Sequence, residues 1–117
     1  MDIDTELSGP HRKLISLLQK HQYIVESEVD LYPWKLDIYL PDYHVGVEVD
    51  GPQHGVKRES KRDRDIFELY GIPIIRIKAQ DVSEDCLVLI AEFCDQYVFS
   101  FPERMKVFKK CLLSRRF

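Results

Sequence analysis

Residues Lys35–His54 read KLDIYLPDYHVGVEVDGPQH, two alternating stretches separated by a polar turn and closed by Gly51-Pro52. Leu36, Ile38 and Leu40 alternate with Lys35, Asp37 and Tyr39. After Pro41–His44, Val45, Val47 and Val49 alternate with Gly46, Glu48 and Asp50. A period of two with one apolar side predicts a pair of half-buried strands, and the four residues 41–44 join them as a hairpin. Closed there, the hairpin sets Leu40 opposite Val45, Ile38 opposite Val47 and Leu36 opposite Val49. On the other face Asp37 falls opposite Glu48 and Lys35 opposite Asp50. A slip of one residue turns the valines out of the core, so the apolar pattern itself fixes the register.

That register has an electrostatic cost. Carboxylates directly opposite each other have Cβ atoms roughly 5 Å apart and repel, unless a cation or a proton lies between them. A hard divalent cation such as Mg²⁺ suits the place, because it takes oxygen ligands, keeps several waters and commonly uses one or two carboxylates together with a substrate phosphate. A merely solvated polar face is the competing reading for any alternating strand. Gly51, Pro52 and His54 favour a site, because they add loop chemistry directly beside the acids.

Outward from the hairpin, Leu14, Ile15, Leu17 and Leu18 predict a helix from about Pro10 to His21. Tyr23–Leu31 predicts a strand with Val25, Val29 and Leu31 on one side. VKRESKRDRDIFELYG predicts a helix whose Ile66, Phe67, Leu69 and Tyr70 face the core and which stops at Gly71. IPIIRIK, mostly apolar, reads as a short strand central to the sheet. Helices over Ser83–Tyr97 and from Ser100 onward finish the chain, the last with Ser100 and Glu103 at capping-box spacing. The order is α, three β, α, β, α, α, an α/β fold.

A chain of 117 residues, 44% hydrophobic and 32% charged, fits one globular domain over residues 1–117, with a core over about 10–82 and a helical extension over about 83–117. No apolar run approaches a membrane span and the start lacks a secretory pattern, which points to an intracellular protein, cytoplasmic or nucleoid/nuclear. Cys86, Cys94 and Cys111 are odd in number and widely spaced, which argues for reduced thiols rather than a disulfide framework. The net charge of -3 hides segregated signs: five cations, Lys57, Arg58, Lys61, Arg62 and Arg64, fall within eight residues just after the acidic strand. Lys57, Lys61 and Arg64 share a helix face that can follow a nucleic-acid backbone, while the interspersed Glu59, Asp63 and Asp65 equally suit a solvated face.

LDIYLPDYHVGVEVDGPQH followed by KRDRDIFELYGIPIIRI resembles the PD-(D/E)XK nuclease superfamily, in particular the branch related to very short patch repair endonucleases. It also resembles the RNA-associated RAP domain, which carries a similar EVDGP-x-H. The resemblance covers roughly Leu14–Val82. It implies a restriction-endonuclease-like core, αβββαβ with a central mixed sheet and two added C-terminal helices. It further implies a Mg²⁺-dependent endonuclease, with Mn²⁺ as substitute, that hydrolyses phosphodiester bonds in nucleic acid, DNA in preference to RNA. Carried over by position, Asp37 matches the first metal-binding Asp and Glu48 the second acid, the Val49 carbonyl a backbone ligand, and His54 the branch's His. Arg64 and Asp65 match its helix. Asp50 stands where the superfamily usually has Lys, as a further ligand or acceptor, and the missing cation is replaced by Lys35, Lys57 or Lys61, or is not replaced. Many relatives carry a Glu on the first helix facing the site, and at the comparable point this chain has His11. The catalytic set is thus Asp37, Glu48, Asp50, His54 and Lys35; the metal set is Asp37, Glu48, Val49 and Asp50. Alternatives are a noncatalytic RAP-like binding module, or a small subunit that docks on a larger protein or on a second copy through its C-terminal helices.

Overall fold

In a computed structural model of the chain the described residues are 9–52 and 56–114, with Val56 and Lys57 described by backbone alone. The elements are α1 (Gly9–Lys20), β1 (Glu26–Leu31), β2 (Trp34–Leu40), β3 (Val45–Asp50), α2 (Val56–Tyr70), β4 (Ile74–Lys78), a 3₁₀ turn (Ala79–Asp81), α3 (Cys86–Gln96) and α4 (Phe101–Ser114). The expected order holds, and β1 and α3 each start three residues later than the periodicity suggests.

The four strands form one mixed sheet in the order β1-β2-β3-β4, antiparallel except for β3 and β4, which run parallel with α2 as their crossover. β4 is therefore an edge strand among the described residues, not a central one. Its apolar run has a different cause: both of its faces are covered. Ile75 and Ile77 pack with α1 and α3 on one side, and Ile74 packs with α2 and α4 on the other. Full coverage on two faces gives a continuous apolar strand wherever it lies in the sheet.

Two cores follow from this sandwich. Leu14, Ile15 and Leu18 of α1 meet Ile38, Leu40, Val45 and Val47 of the sheet and Cys86, Leu87, Ile90 and Cys94 of α3. Beyond the other face, Leu31, Leu36, Ile66, Tyr70 and Ile72 form a second core, with Phe108 and Cys111 of α4 packed against it. Cys86 and Cys94 are buried free thiols, and Cys111 is a partly buried one.

The hairpin closes as the pattern requires, with Leu40 paired to Val45 and Ile38 to Val47. Beyond Ile38 the strict alternation fails. Leu36 belongs to the α2/α4 core whereas Ile38 and Leu40 belong to the α1/α3 core, so Leu36 and Val49 do not share an apolar face as the sequence pattern predicts. The chain leading into β1 changes sides at the matching place: Val25, just before the strand, packs with the α1/α3 core, and Val29 and Leu31 with the other. The register stays in step across this point, with Ser27 paired to Ile38 and Val29 to Leu36. Between those pairs fall Asp37 and Glu28, the latter at φ 55, in the left-handed region. Gly46 makes room for the rearrangement, because a Cβ there would lie 2.8 and 2.9 Å from the two methyl carbons of Leu36.

At the other end of β3 the chain is tied by buried polar groups. His44, fully buried at φ 53, donates from Nε2 to the Tyr70 carbonyl (2.9 Å) and accepts at Nδ1 from the Tyr39 hydroxyl (2.6 Å). Arg104 of α4, 4% exposed, donates to the carbonyls of His44, Gly71, Tyr43 and Tyr97 and from Nε to the Ser100 hydroxyl. The Ser100 hydroxyl in turn donates to Tyr97 O, so it serves Arg104 and the preceding turn instead of the capping box the sequence suggests.

Candidate active site

The change of sides at Asp37 is where the acids gather. Two backbone N–H groups near the end of the β2–β3 ladder are taken up by side chains. Asp37 N–H donates to Glu48 Oε2 at 2.7 Å, and Val49 N–H donates to Asp37 Oδ2 at 3.0 Å. Each carboxylate of the opposed pair is thus held by the other strand's main chain. Such bonds offset part of the repulsion for which the sequence reading invoked a cation or a proton.

Glu48 is the more deeply placed of the two, 8% exposed. Burial pushes its carboxyl up from 4.5 to about 7; the negative charge of Asp37 adds to the rise, against the Asp37 N–H bond and the Arg62 and Arg76 guanidiniums, which pull it down. Glu48 Oε1 lies 3.3 Å from Arg62 Nη1, and Arg62 Nη2 donates to the Lys35 carbonyl at 2.8 Å. With Oε2 on the Asp37 N–H, both Glu48 oxygens are engaged.

On the other side of Asp37 stand two residues that the hairpin alone does not reveal. His11, buried on α1, donates from Nε2 to the Asp37 carbonyl at 3.2 Å. Glu28 is exposed and has no hydrogen-bond or ion-pair partner among the described residues. One ligand atom from each of His11, Glu28 and Asp37 can be chosen such that all three lie within 4.8 Å of one another. Ligands around one divalent cation, each at roughly 2.0–2.6 Å from it, span at most about that separation. The donor set therefore fits a divalent ion.

Asp50 accepts from Arg76 Nη1 at 2.8 Å. Arg76, on β4, also grips Asp63 through Nε and Nη2, both at 2.8 Å, and lies 3.4 Å from Glu59. Lys35 points its ammonium to Asp30 at 3.8 Å, and its carbonyl, not its side chain, takes part in the site through Arg62. His54 lies outside the described residues, as does the side chain of Lys57. Lys61 pairs with Asp65 at 2.7 Å, and Arg64 is exposed.

The structure thus brings Asp37, Glu48 and the N–H of Val49 together, and holds Asp50 on Arg76. Sequence reasoning passed over Glu28, Arg62 and Arg76 as site residues. Arg76 carried a signal, being the one charge inside IPIIRI. For Glu28 there was none, since its approach depends on a left-handed residue within a strand.

Comparison with solved structures finds a match to the homing endonuclease I-Bth0305I catalytic domain, with a TM-score of 0.52 and 16% identity over 84% of this chain and 98% of that one. No family model and no curated protein matches the sequence. At that identity the likeness is one of fold: a mixed four-stranded sheet with helices in the order αβββαβαα.

Proposed function

We propose that the chain is a single-domain, divalent-metal-dependent endonuclease that hydrolyses nucleic-acid phosphodiester bonds, DNA in preference to RNA, and that it belongs to the PD-(D/E)XK branch it resembles. The observation that carries this reading is the meeting of Asp37, Glu28 and His11 where β1 and β2 change sides, on a fold shared with an endonuclease catalytic domain. Asp37 is the central ligand, because one of its oxygens is fixed by the Val49 N–H and the other faces no protein donor among the described residues. His11 and Glu28 complete the set. The ligand set implied by the sequence resemblance, Asp37, Glu48, the Val49 carbonyl and Asp50, shares Asp37 with it; Glu48 and Asp50 enter it only by exchanging Arg62 and Arg76.

A divalent ion bound there supplies charge for the phosphoryl oxygens and a water of lowered pKa. The protein's own groups then have separate tasks. Glu48 locks the Asp37 backbone, Arg62 keeps a cation against the acid pair, and His54, just beyond β3, orients or deprotonates the attacking water.

The test is cleavage of supercoiled, branched and single-stranded DNA and of RNA with Mn²⁺ or Mg²⁺, paired with calorimetric Mn²⁺ binding. Asp37→Asn is expected to lower the rate by about 100-fold or more and to abolish Mn²⁺ binding. Glu28→Gln weakens Mn²⁺ binding if Glu28 is a ligand. Cutting by Asp37→Asn at the parent's rate sinks the assignment, and a parent that binds nucleic acid with no metal-dependent cutting is a binding module instead.

A further inference from the structure

Beside Glu48 the surface opens into a cleft of about 240 Å³ lined by Glu48, Arg58, Glu59, Arg62 and Arg76. Three guanidiniums and two carboxylates line it, and Asp50 and Asp63, both on Arg76, add negative charge beside it. The three are not equivalent. Arg76 is occupied by Asp50, Asp63 and Glu59. Arg62 is anchored to the Lys35 carbonyl and touches Glu48 and Asp63 with Nη1 only. Arg58 is exposed and has no hydrogen-bond or ion-pair partner among the described residues. Arg58 and Arg62 stand one helical turn apart on α2, an arrangement of like charges that repels unless an anion lies between.

We propose that this cleft holds a phosphate of the nucleic-acid backbone, gripped by Arg58 and Arg62, immediately beside the Asp37–Glu48 pair. The inference deepens the nuclease reading and rests on it for the identity of the substrate. Two guanidinium forks match the oxygens of a phosphodiester, and Arg62 is already oriented by its bond to β2, so little freedom is lost on binding. The stripe named from the sequence, Lys57, Lys61 and Arg64, is a different face of the same helix. Lys61 there is already paired with Asp65. A phosphate that takes Arg62 also frees Glu48 Oε1, so filling the cleft alters the acid pair next to it.

The experiment is fluorescence anisotropy of labelled duplex DNA, single-stranded DNA and RNA with the full chain in EDTA, across a salt series. Arg58→Gln/Arg62→Gln is expected to weaken binding about tenfold or more and to lower the slope of log K against log salt by about one. Arg58→Gln alone, at an exposed residue with no partner among the described residues, keeps the fold intact and should show a smaller loss in the same direction. Lys20→Gln, at the last residue of α1 and paired with Glu84, serves as the charge control and should bind as the parent does. Unchanged affinity and slope in both arginine variants overturns the proposal, as does a parent that binds none of the three probes. Because metal is absent, the outcomes separate. A parent that binds through these arginines yet never cuts with Mn²⁺ refutes the nuclease reading alone. A parent that cuts while the arginine variants bind normally refutes the cleft alone.

Discussion

Glu48 shows how one side chain can set the pH response of a small protein. Its carboxyl is pushed up from 4.5 to about 7, chiefly by burial. The folded chain therefore holds a proton on Glu48 that the unfolded chain releases, and between about pH 4.5 and 7 its contribution to stability falls as pH rises. The full difference amounts to about 3 kcal/mol at most. Urea unfolding of the metal-free protein is expected to show this loss between pH 5 and about 7.5, and Glu48→Gln should flatten it. A Gln variant with the parent's pH dependence would assign the effect to another group. Arg104 lies at the opposite electrostatic extreme: a buried cation satisfied by four carbonyls and a hydroxyl, with no carboxylate among these acceptors. Arg104→Lys keeps the charge but loses the planar fork and two of its donors, so stability should drop by about 2–4 kcal/mol. A change under about 0.5 kcal/mol in urea unfolding would contradict that accounting.

Among the elements, the β2–β3 hairpin was the most legible and also the most instructive where it departed from its pattern. Val45, Val47, Ile38 and Leu40 alternate on a buried face, and that burial fixes both turn and register, so sequence sufficed there. Leu36 alternates just as well yet crosses to the other core, because at Asp37 side-chain bonds supplant ladder bonds and the strand reverses its faces. Periodicity cannot report such a reversal. The acid pair was visible from spacing alone, whereas Glu28 and Arg62 arrive from β1 and α2 through tertiary packing. Gly46 allows a direct test of the reversal. Gly46→Ala drives a methyl into Leu36, and the overpacking should cost about 1–3 kcal/mol by urea unfolding. Combined with Leu36→Ala, which vacates the space, it should cost less than the sum of the two single changes.

For the whole molecule, α3 and α4 pack as layers, one on each face of the sheet. No helix among the described residues is long and apolar enough to cross a membrane. Gly71, at φ +71, lets α4 come close: a Cβ there would lie 2.5 Å from the Arg104 carbonyl oxygen. Arg104 and His44 fasten one end of β3, and Asp37, Glu48 and Asp50 lie toward the other, about 15 Å away at the usual rise of a strand. The division amounts to a modular arrangement along a single strand, with a clamp at its entry and the acid cluster at its exit. If the proposed nuclease reading holds, substitutions in the acid cluster change activity while the clamp preserves the fold, so inactive variants should remain well-folded proteins usable as substrate traps.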